Sequence, residues 1–422
     1  MKKLLIFAAT LLIIVTPVVA LCADKAQTEV TLNYDEFGNP YFVCYMEKRQ
    51  VNQLTENQLS LPTNELVDLI LEFPYLNGFF ASSFSYANTY DAIVAAYDYN
   101  GFAELEKRSD SAHVMLSKFS KLIETSDFES LHAYYLNALL SVPVYCAQLT
   151  SAEFLEYERL SAEFWDAITE NASQPDNSDG VYSDVALTRE IAFYINNVPY
   201  ELSGYGSSTS GNQVPLYYTN IDHLPSQKQS IAEAEAAYYG IQILGYATTK
   251  YNCHSYAWHQ PYTTNTSWIT YPFPYLLDAH CSETPTPSVG SIIVYYGSNG
   301  LPAHSAIVTS VQDTIMCKSK WGQAGLYIHS INNVPENYCY DPGSGMILCY
   351  AYNYSRNHTC SVTIDDRYTH TRTCLICGWS STEPHIENII TGRCIVCGLE
   401  GPFPALAFSS TNQSNNDATC FD

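Results

Sequence analysis

The sequence predicts a multidomain α+β protein, and three observations carry that expectation. The chain has 422 residues, more than one ordinary domain holds. Its apolar pattern changes along the chain from helical spacing to strand-like runs. Near the end, two Cys-x-x-Cys-Gly turns at Cys374–Cys377 and Cys394–Cys397 mark a segment too short to build its own core. A hydrophobic fraction of 46% supplies material for real cores elsewhere. The net charge of −24, with only 19 Lys+Arg, argues against nucleic acid and anionic membranes as partners.

Taken in order, Met1-Lys2-Lys3 and the apolar run Leu4–Ala20 form the n- and h-regions of a signal peptide covering 1–23. Val18 and Ala20, or Ala23, provide peptidase positions, and Leu21 stands before Cys22 where a lipobox needs a small residue. The expected product is a secreted or cell-surface bacterial protein with no integral membrane domain after cleavage; a retained N-terminal anchor is the alternative. Residues 24–60 are a strand-containing leader, with a strand at Glu29–Leu32 and a turn over 33–40. A helical domain occupies 61–172. Leu66, Leu69, Ile70 and Phe73 line one face behind Thr63 as N-cap. Leu116, Phe119 and Ile123 repeat the spacing, as do Phe154, Tyr157, Phe164 and Ile168.

Residues 173–230 combine linker and strand-like pieces, with linkers expected at 172–180 and in the Gly/Ser-rich 204–212. A third domain spans 231–355. It opens with an Ala-rich helix over 231–245 and continues into strands at 291–296, 303–311 and 314–317. Residues 356–400 form the cysteine-rich module, and 401–422 a disordered polar tail.

The chemistry-bearing stretch is Tyr251-Asn252-Cys253-His254-Ser255-Tyr256-Ala257-Trp258, where a loop delivers Cys253 to the first turn of a helix. Helix N-terminal N–H groups stabilise a thiolate and are able to hold an oxyanion. About fifty residues on, Ala303-His304-Ser305-Ala306-Ile307-Val308 places His304 at the start of an apolar strand, after the Gly-led strand Gly290–Tyr296. Antiparallel pairing brings such a histidine to a cysteine remote in sequence, and a neutral imidazole is the base that thiol attack needs. Taken alone, Cys253 is equally a disulfide or buried thiol and His304 a strand-end histidine; the pair raises both. His254, His259 and His280 are expected at the surface or in loops.

These motifs resemble the CHAP and NlpC-type branch of papain-like cysteine hydrolases over roughly 231–340. The resemblance implies a papain-like α+β core that cleaves amide bonds, commonly in peptidoglycan, with Cys253 as nucleophile and His304 as base. Such enzymes usually carry an acid or amide on the strand after the histidine. The corresponding Cys317-Lys318-Ser319-Lys320-Trp321-Gly322 has neither, so His329 is expected to orient His304, as a third histidine does in NlpC-type relatives; Asn332 and Asn333 are alternatives. Trp258, Trp321 and Tyr251 line the cleft or pack beneath it.

In the tail, Cys374, Cys377, Cys394 and Cys397 resemble a rubredoxin-like zinc ribbon, which implies one structural Zn(2+) held by four thiolates and no catalytic cofactor. Disulfides are the alternative. The expected function is a secreted cysteine amidase or endopeptidase acting on a peptide or peptidoglycan substrate. The competing readings are a catalytically inactive papain-like binding protein and a transglutaminase-like effector.

Overall fold

An antiparallel sheet runs through the molecule and takes strands from both ends of the chain. The computed structural model describes residues 30–46, 51–82, 85–128, 130–172, 191–196, 198–354, 360–365, 369–374, 380–384, 387–388 and 393–394. In chain order the strands are β1 (Thr31–Tyr34), β2 (Pro40–Tyr45), β3 (Ile191–Ile195), β4 (Val198–Ser207), β5 (Gln213–Tyr218), β6 (Gln242–Gly245), β7 (Cys281–Glu283), β8 (Ile292–Tyr296), β9 (Pro302–Val311), β10 (Ile315–Lys320), β11 (Leu326–Ser330) and β12 (Met346–Tyr354). The main sheet has the order β1-β2-β12-β8-β9-β10-β11-β6, with β7 also paired to β12, while β3-β4-β5 form a smaller sheet. Short strands follow at β13 (Cys360–Ile364), β14 (Thr369–Cys374), β15 (Ser380–Pro384), β16 (Glu387–Asn388) and β17 (Arg393–Cys394). The protein is mixed α+β with antiparallel sheets, as its pattern predicts.

The leader is part of the main sheet. β1 and β2 are joined by the expected turn, in which Asp35 Oδ1 accepts the N–H groups of Phe37 and Asn39 at 2.9 and 2.8 Å. β2 then pairs with β12 in the register Cys44↔Ile347, three hundred residues away. Strands β8, β9 and β10 fall at the expected runs, and β8 is buried along its whole length because the sheet is covered on both faces there.

Helices precede and flank this sheet: α1 (Glu56–Leu59), α2 (Thr63–Leu71), α3 (Gly78–Ala81), α4 (Tyr86–Tyr97), α5 (Asn100–Lys107), α6 (Ser111–Glu124), α7 (Leu131–Ser141), α8 (Pro143–Cys146), α9 (Ser151–Ala172), α10 (Pro225–Tyr239) and α11 (Phe273–Leu276). The predicted faces of α2, α6 and α9 are buried at Leu66, Ile70, Leu116, Phe119, Ile123, Tyr157, Phe164 and Ile168, though Val67 replaces Leu69 in the buried set of α2. Thr63 is the first helical residue instead of the cap, and its hydroxyl donates to Asp110 Oδ1 at 2.8 Å. The Ala-rich helix begins and ends six residues early. Pro225 suits its first turn, and Gly240, at φ 62°, stops it before β6. The Gly/Ser stretch at 204–212 is not a linker but the end of β4 and its turn into β5, where Gly211 takes φ 85°.

Helices and sheet share one core. Leu66, Phe80, Leu136 and Phe164 belong to the same buried cluster as Ile293, Tyr295, Val308 and Trp321. One contact fixes α3 against the sheet. Gly322 has φ 45°, and a Cβ there would stand 2.5 Å from the Ala81 carbonyl oxygen, while Gln323 N–H donates to the Phe80 carbonyl at 2.7 Å. The signal segment 1–23, residues 173–190, the tail 401–422, and Cys377 and Cys397 lie outside the described residues.

Gly322→Ala is therefore expected to cost well over 2 kcal/mol, from backbone strain and the clash together. Gly211→Ala meets open space and is expected to cost only about 1 kcal/mol from its φ. Urea unfolding of both variants compares the two; equal costs would mean that the loop after β10 is not held tightly against α3.

Candidate active site

Cys253 enters the site through an asparagine cap. Asn252 Oδ1 accepts Ser255 N–H at 3.0 Å and Ile269 N–H at 3.3 Å, while its Nδ2 donates to the Ile269 carbonyl at 2.7 Å. A cap of this kind contributes about 1 kcal/mol and fixes where the helical turn starts. The turn continues as a π-type coil over Ser255–His259, closed by Gln260 N–H to the Ser255 carbonyl at 2.9 Å. Cys253 is thus the first residue of a capped turn, as its sequence context suggests. Its sulfur lies against the backbone N–H of Ser305, the residue after His304.

β9, β10 and β11 carry the rest. His304 Nε2 is 2.9 Å from Ser319 Oγ, and Ser319 Oγ is 2.7 Å from His329 Nε2. Trp321 Nε1 donates to the same hydroxyl at 3.1 Å. His329 Nδ1 lies 2.8 Å from the Ser330 carbonyl. The protons in this chain follow from the capacities of the groups. A carbonyl only accepts, so His329 carries its proton on Nδ1 and presents a lone pair at Nε2. Ser319 donates its single proton to that lone pair. Its oxygen accepts from the Trp321 indole and from His304, so His304 is protonated at Nε2. His304 Nδ1 is therefore the basic nitrogen, and it has no hydrogen-bond partner among the described residues, the Cys253 sulfur included.

The structure joins His304 to His329, the residue expected in the third position, but through Ser319. Asn332 instead accepts from the Ser330 hydroxyl at 2.8 Å, and Asn333 donates to the Tyr239 carbonyl at 2.8 Å. Ser319 escapes the sequence reading because a search for an acid or amide passes over a hydroxyl. Its faint signal is alternation on β10, which turns Cys317 and Ser319 to one face. His254 is a correction. It is fully buried, with Nδ1 2.8 Å from Ser305 Oγ, because the following π-type turn is itself buried. His259 is half-buried beside Tyr275, while His280 is exposed as expected. Tyr251, Trp258 and Trp321 are all buried packing residues.

The site is dry. Cys253, His304 and Ser319 are fully buried. The ring of Tyr338 stacks on that of His304, with centroids 4.0 Å apart and 10° between planes, and its hydroxyl donates to the Ala81 carbonyl of α3. Glu336 anchors this aromatic cover by accepting from the hydroxyls of Tyr97 and Tyr239. A cavity of about 300 Å³ lined by Lys250, Tyr251, Thr263 and Asn265 reaches the nucleophile loop without including Cys253 in its wall.

Burial sets the electrostatics. It pushes the Cys253 thiol up to about 12, against the opposing pull of the Ser305 and His254 backbone N–H groups and of Lys320. It pushes His304 well down, with repulsion from His329 and His254 adding to the effect. His329 falls to about 4 and His254 to about 3 for the same reason. Buried in this way, Cys253 is a neutral thiol and His304 a neutral imidazole.

Cys44, Cys146, Cys253, Cys281, Cys317, Cys339 and Cys349 are in no disulfide among the described residues. Cys374 and Cys394 are the last residues of β14 and β17, and nothing of their side chains is described. Among the described residues no group of three or more His, Cys, Asp or Glu is placed to hold a metal, and no helix is long and apolar enough to cross a membrane. No protein-family model matches the chain, and neither a curated protein nor a solved structure matches it.

The buried histidines give a pH signature. Their folded pKa values lie below the unfolded value of 6.5, so below that pH the unfolded chain binds more protons and stability falls as pH falls. Between pH 6.5 and 4, His329 alone is expected to account for a loss on the order of 3 kcal/mol. Thermal melts across this window are expected to steepen with acid, and less so in His329→Gln; an unchanged slope in the variant would remove His329 from the explanation.

Proposed function

We propose that this chain is a papain-like thiol hydrolase that cleaves amide bonds, with Cys253 as nucleophile and His304 as base. The observation that carries the reading is the His329–Ser319–His304 chain, because it leaves an unprotonated Nδ1 on the residue next to the one whose N–H meets the Cys253 sulfur. His304 Nδ1 makes no hydrogen bond to the sulfur here, so the reaction requires a movement that brings the two within reach; Nδ1 then takes the thiol proton as sulfur attacks the amide carbonyl. The imidazolium returns that proton to the leaving amine. Nδ1 then deprotonates water, which attacks the thioester and releases the carboxylate and the restored thiol. Ser305 N–H and the N–H groups at the start of the Cys253 turn are suited to the developing negative charge.

The closed site needs opening before a peptide enters. Opening removes burial, the one cause that raises the Cys253 pKa, and leaves the N–H groups and Lys320, which all favour thiolate. The CHAP- and NlpC-like motif order favours a peptidoglycan stem or crossbridge amide, in a secreted or surface setting. The spacing of Cys374, Cys377, Cys394 and Cys397 in two Cys-x-x-Cys-Gly turns supports a structural zinc that these four thiolates would hold. That ion would staple the segment, and no step of the reaction passes through it.

The complete burial of Cys253 favours one other reading, an inactive papain-like fold used for binding. Iodoacetamide labelling read by mass spectrometry separates the two, with the equally buried Cys317 as reference. Cys253 is expected to label at least tenfold faster than Cys317 at pH 7, and faster still in Tyr338→Phe, which frees the ring from Ala81. On peptidoglycan fragments Cys253→Ala is expected to abolish hydrolysis, and His304→Ala to lower it by roughly 10²–10⁴-fold. Labelling no faster than Cys317, with no hydrolysis, would leave the binding reading.

A further inference from the structure

We propose that Lys320 is a positioning residue for the thiolate, a buried ammonium that fixes the nucleophile loop and supplies the positive charge against which Cys253 ionises. The inference rests on the thiol-hydrolase reading and identifies what completes its electrostatics.

The relay behind His304 contains a hydroxyl, a neutral imidazole and an indole. None carries negative charge, so nothing in it favours an imidazolium on His304. In papain-like chemistry the thiolate is stabilised largely by that imidazolium, so a site with a neutral relay needs another cation. Lys320 ends β10, one residue past Ser319, and alternation along the strand sends its side chain to the opposite face from the hydroxyl. It is fully buried, which a lysine does not tolerate without partners. Its Nζ donates to the Thr248 carbonyl at 2.9 Å and the Gly322 carbonyl at 2.6 Å, and stands 5.1 Å from the centre of the Tyr251 ring. Thr248 and Tyr251 belong to the loop that delivers Cys253, so the ammonium is tied to that loop from below.

The charged and titratable groups around Lys320 come from three other elements. Cys253 faces it from the capped turn. Asp222 and His223 act on it from the loop before α10. Asp222 is in turn paired with Lys228 of α10 at 2.7 Å and accepts Thr249 N–H at 3.0 Å, so its charge is shared. Burial lowers Lys320 to about 7, with Asp222 and Cys253 opposing that fall. As the site opens and Cys253 loses its proton, the new negative charge holds Lys320 in its protonated form.

The test is the pH dependence of Cys253 alkylation by iodoacetamide in the full chain, for wild type, Lys320→Met and Lys320→Arg, with Cys317 as the internal reference. Lys320→Met is expected to raise the midpoint for Cys253 by a unit or more and to slow labelling at pH 7 about tenfold, with Cys317 unchanged. Lys320→Arg, which keeps the charge, is expected to hold the midpoint near that of wild type. Should Lys320→Met not fold, Lys320→Gln is read in the same way. An unchanged midpoint in the neutral variant overturns the inference while leaving the thiol reading intact. Equal losses in the neutral and arginine variants overturn it as well, because they assign Lys320 to packing. Wild-type Cys253 labelling no faster than Cys317 overturns the thiol reading itself and the inference with it.

Discussion

One hydroxyl proton governs this site. Ser319 has a single O–H to give, and it stands between two imidazoles and an indole, all buried. Because His329 is committed to the Ser330 carbonyl through Nδ1, the serine proton has only one place to go. His304 is then left with its basic nitrogen free. A buried polar network of this kind costs stability if any member is left over, and among Ser319, His329, Trp321 and His304 the one atom left over is His304 Nδ1.

The same burial that makes the network decisive also keeps it silent. In a dry interior the cheapest state of a cysteine and a histidine is the uncharged one, and both are displaced in that direction. Tyr338 lies flat on His304, its hydroxyl fixed by α3 and its short helical turn fixed through Glu336 by α4 and α10. Through Tyr338 the helices α3, α4 and α10 are thus packed onto the ring of His304.

The large buried cluster explains why these parts are not independent. Phe80 and Ala81 of α3 sit where a Cβ on Gly322 would have to go, so the loop that follows Ser319 and Lys320 has no other neighbour to choose. β10 and the turn after it therefore deliver three things at once: the bridging hydroxyl, the buried Lys320 side chain and the contact with the helices.

Much of this was legible in the sequence. Local patterns determined the α+β class, the faces of α6 and α9, strands β8 to β10 and the hairpin turn before β2, and they singled out Cys253, His304 and His329, the last two of which the fold links through Ser319. Each of these depends on spacing within a few residues or on a motif whose chemistry is unambiguous. Tertiary structure decided what depends on partners remote in sequence. β2 joins β12 across three hundred residues, which no local pattern announces. His254 turned out to be buried because Ser305 receives it. Ser319, Lys320 and Tyr338 are ordinary strand and turn residues until β9, β11, the Cys253 loop and α3 are brought around them. Their roles come from hydrogen-bond capacity and charge in a dry space, and that space exists only once the chain has folded.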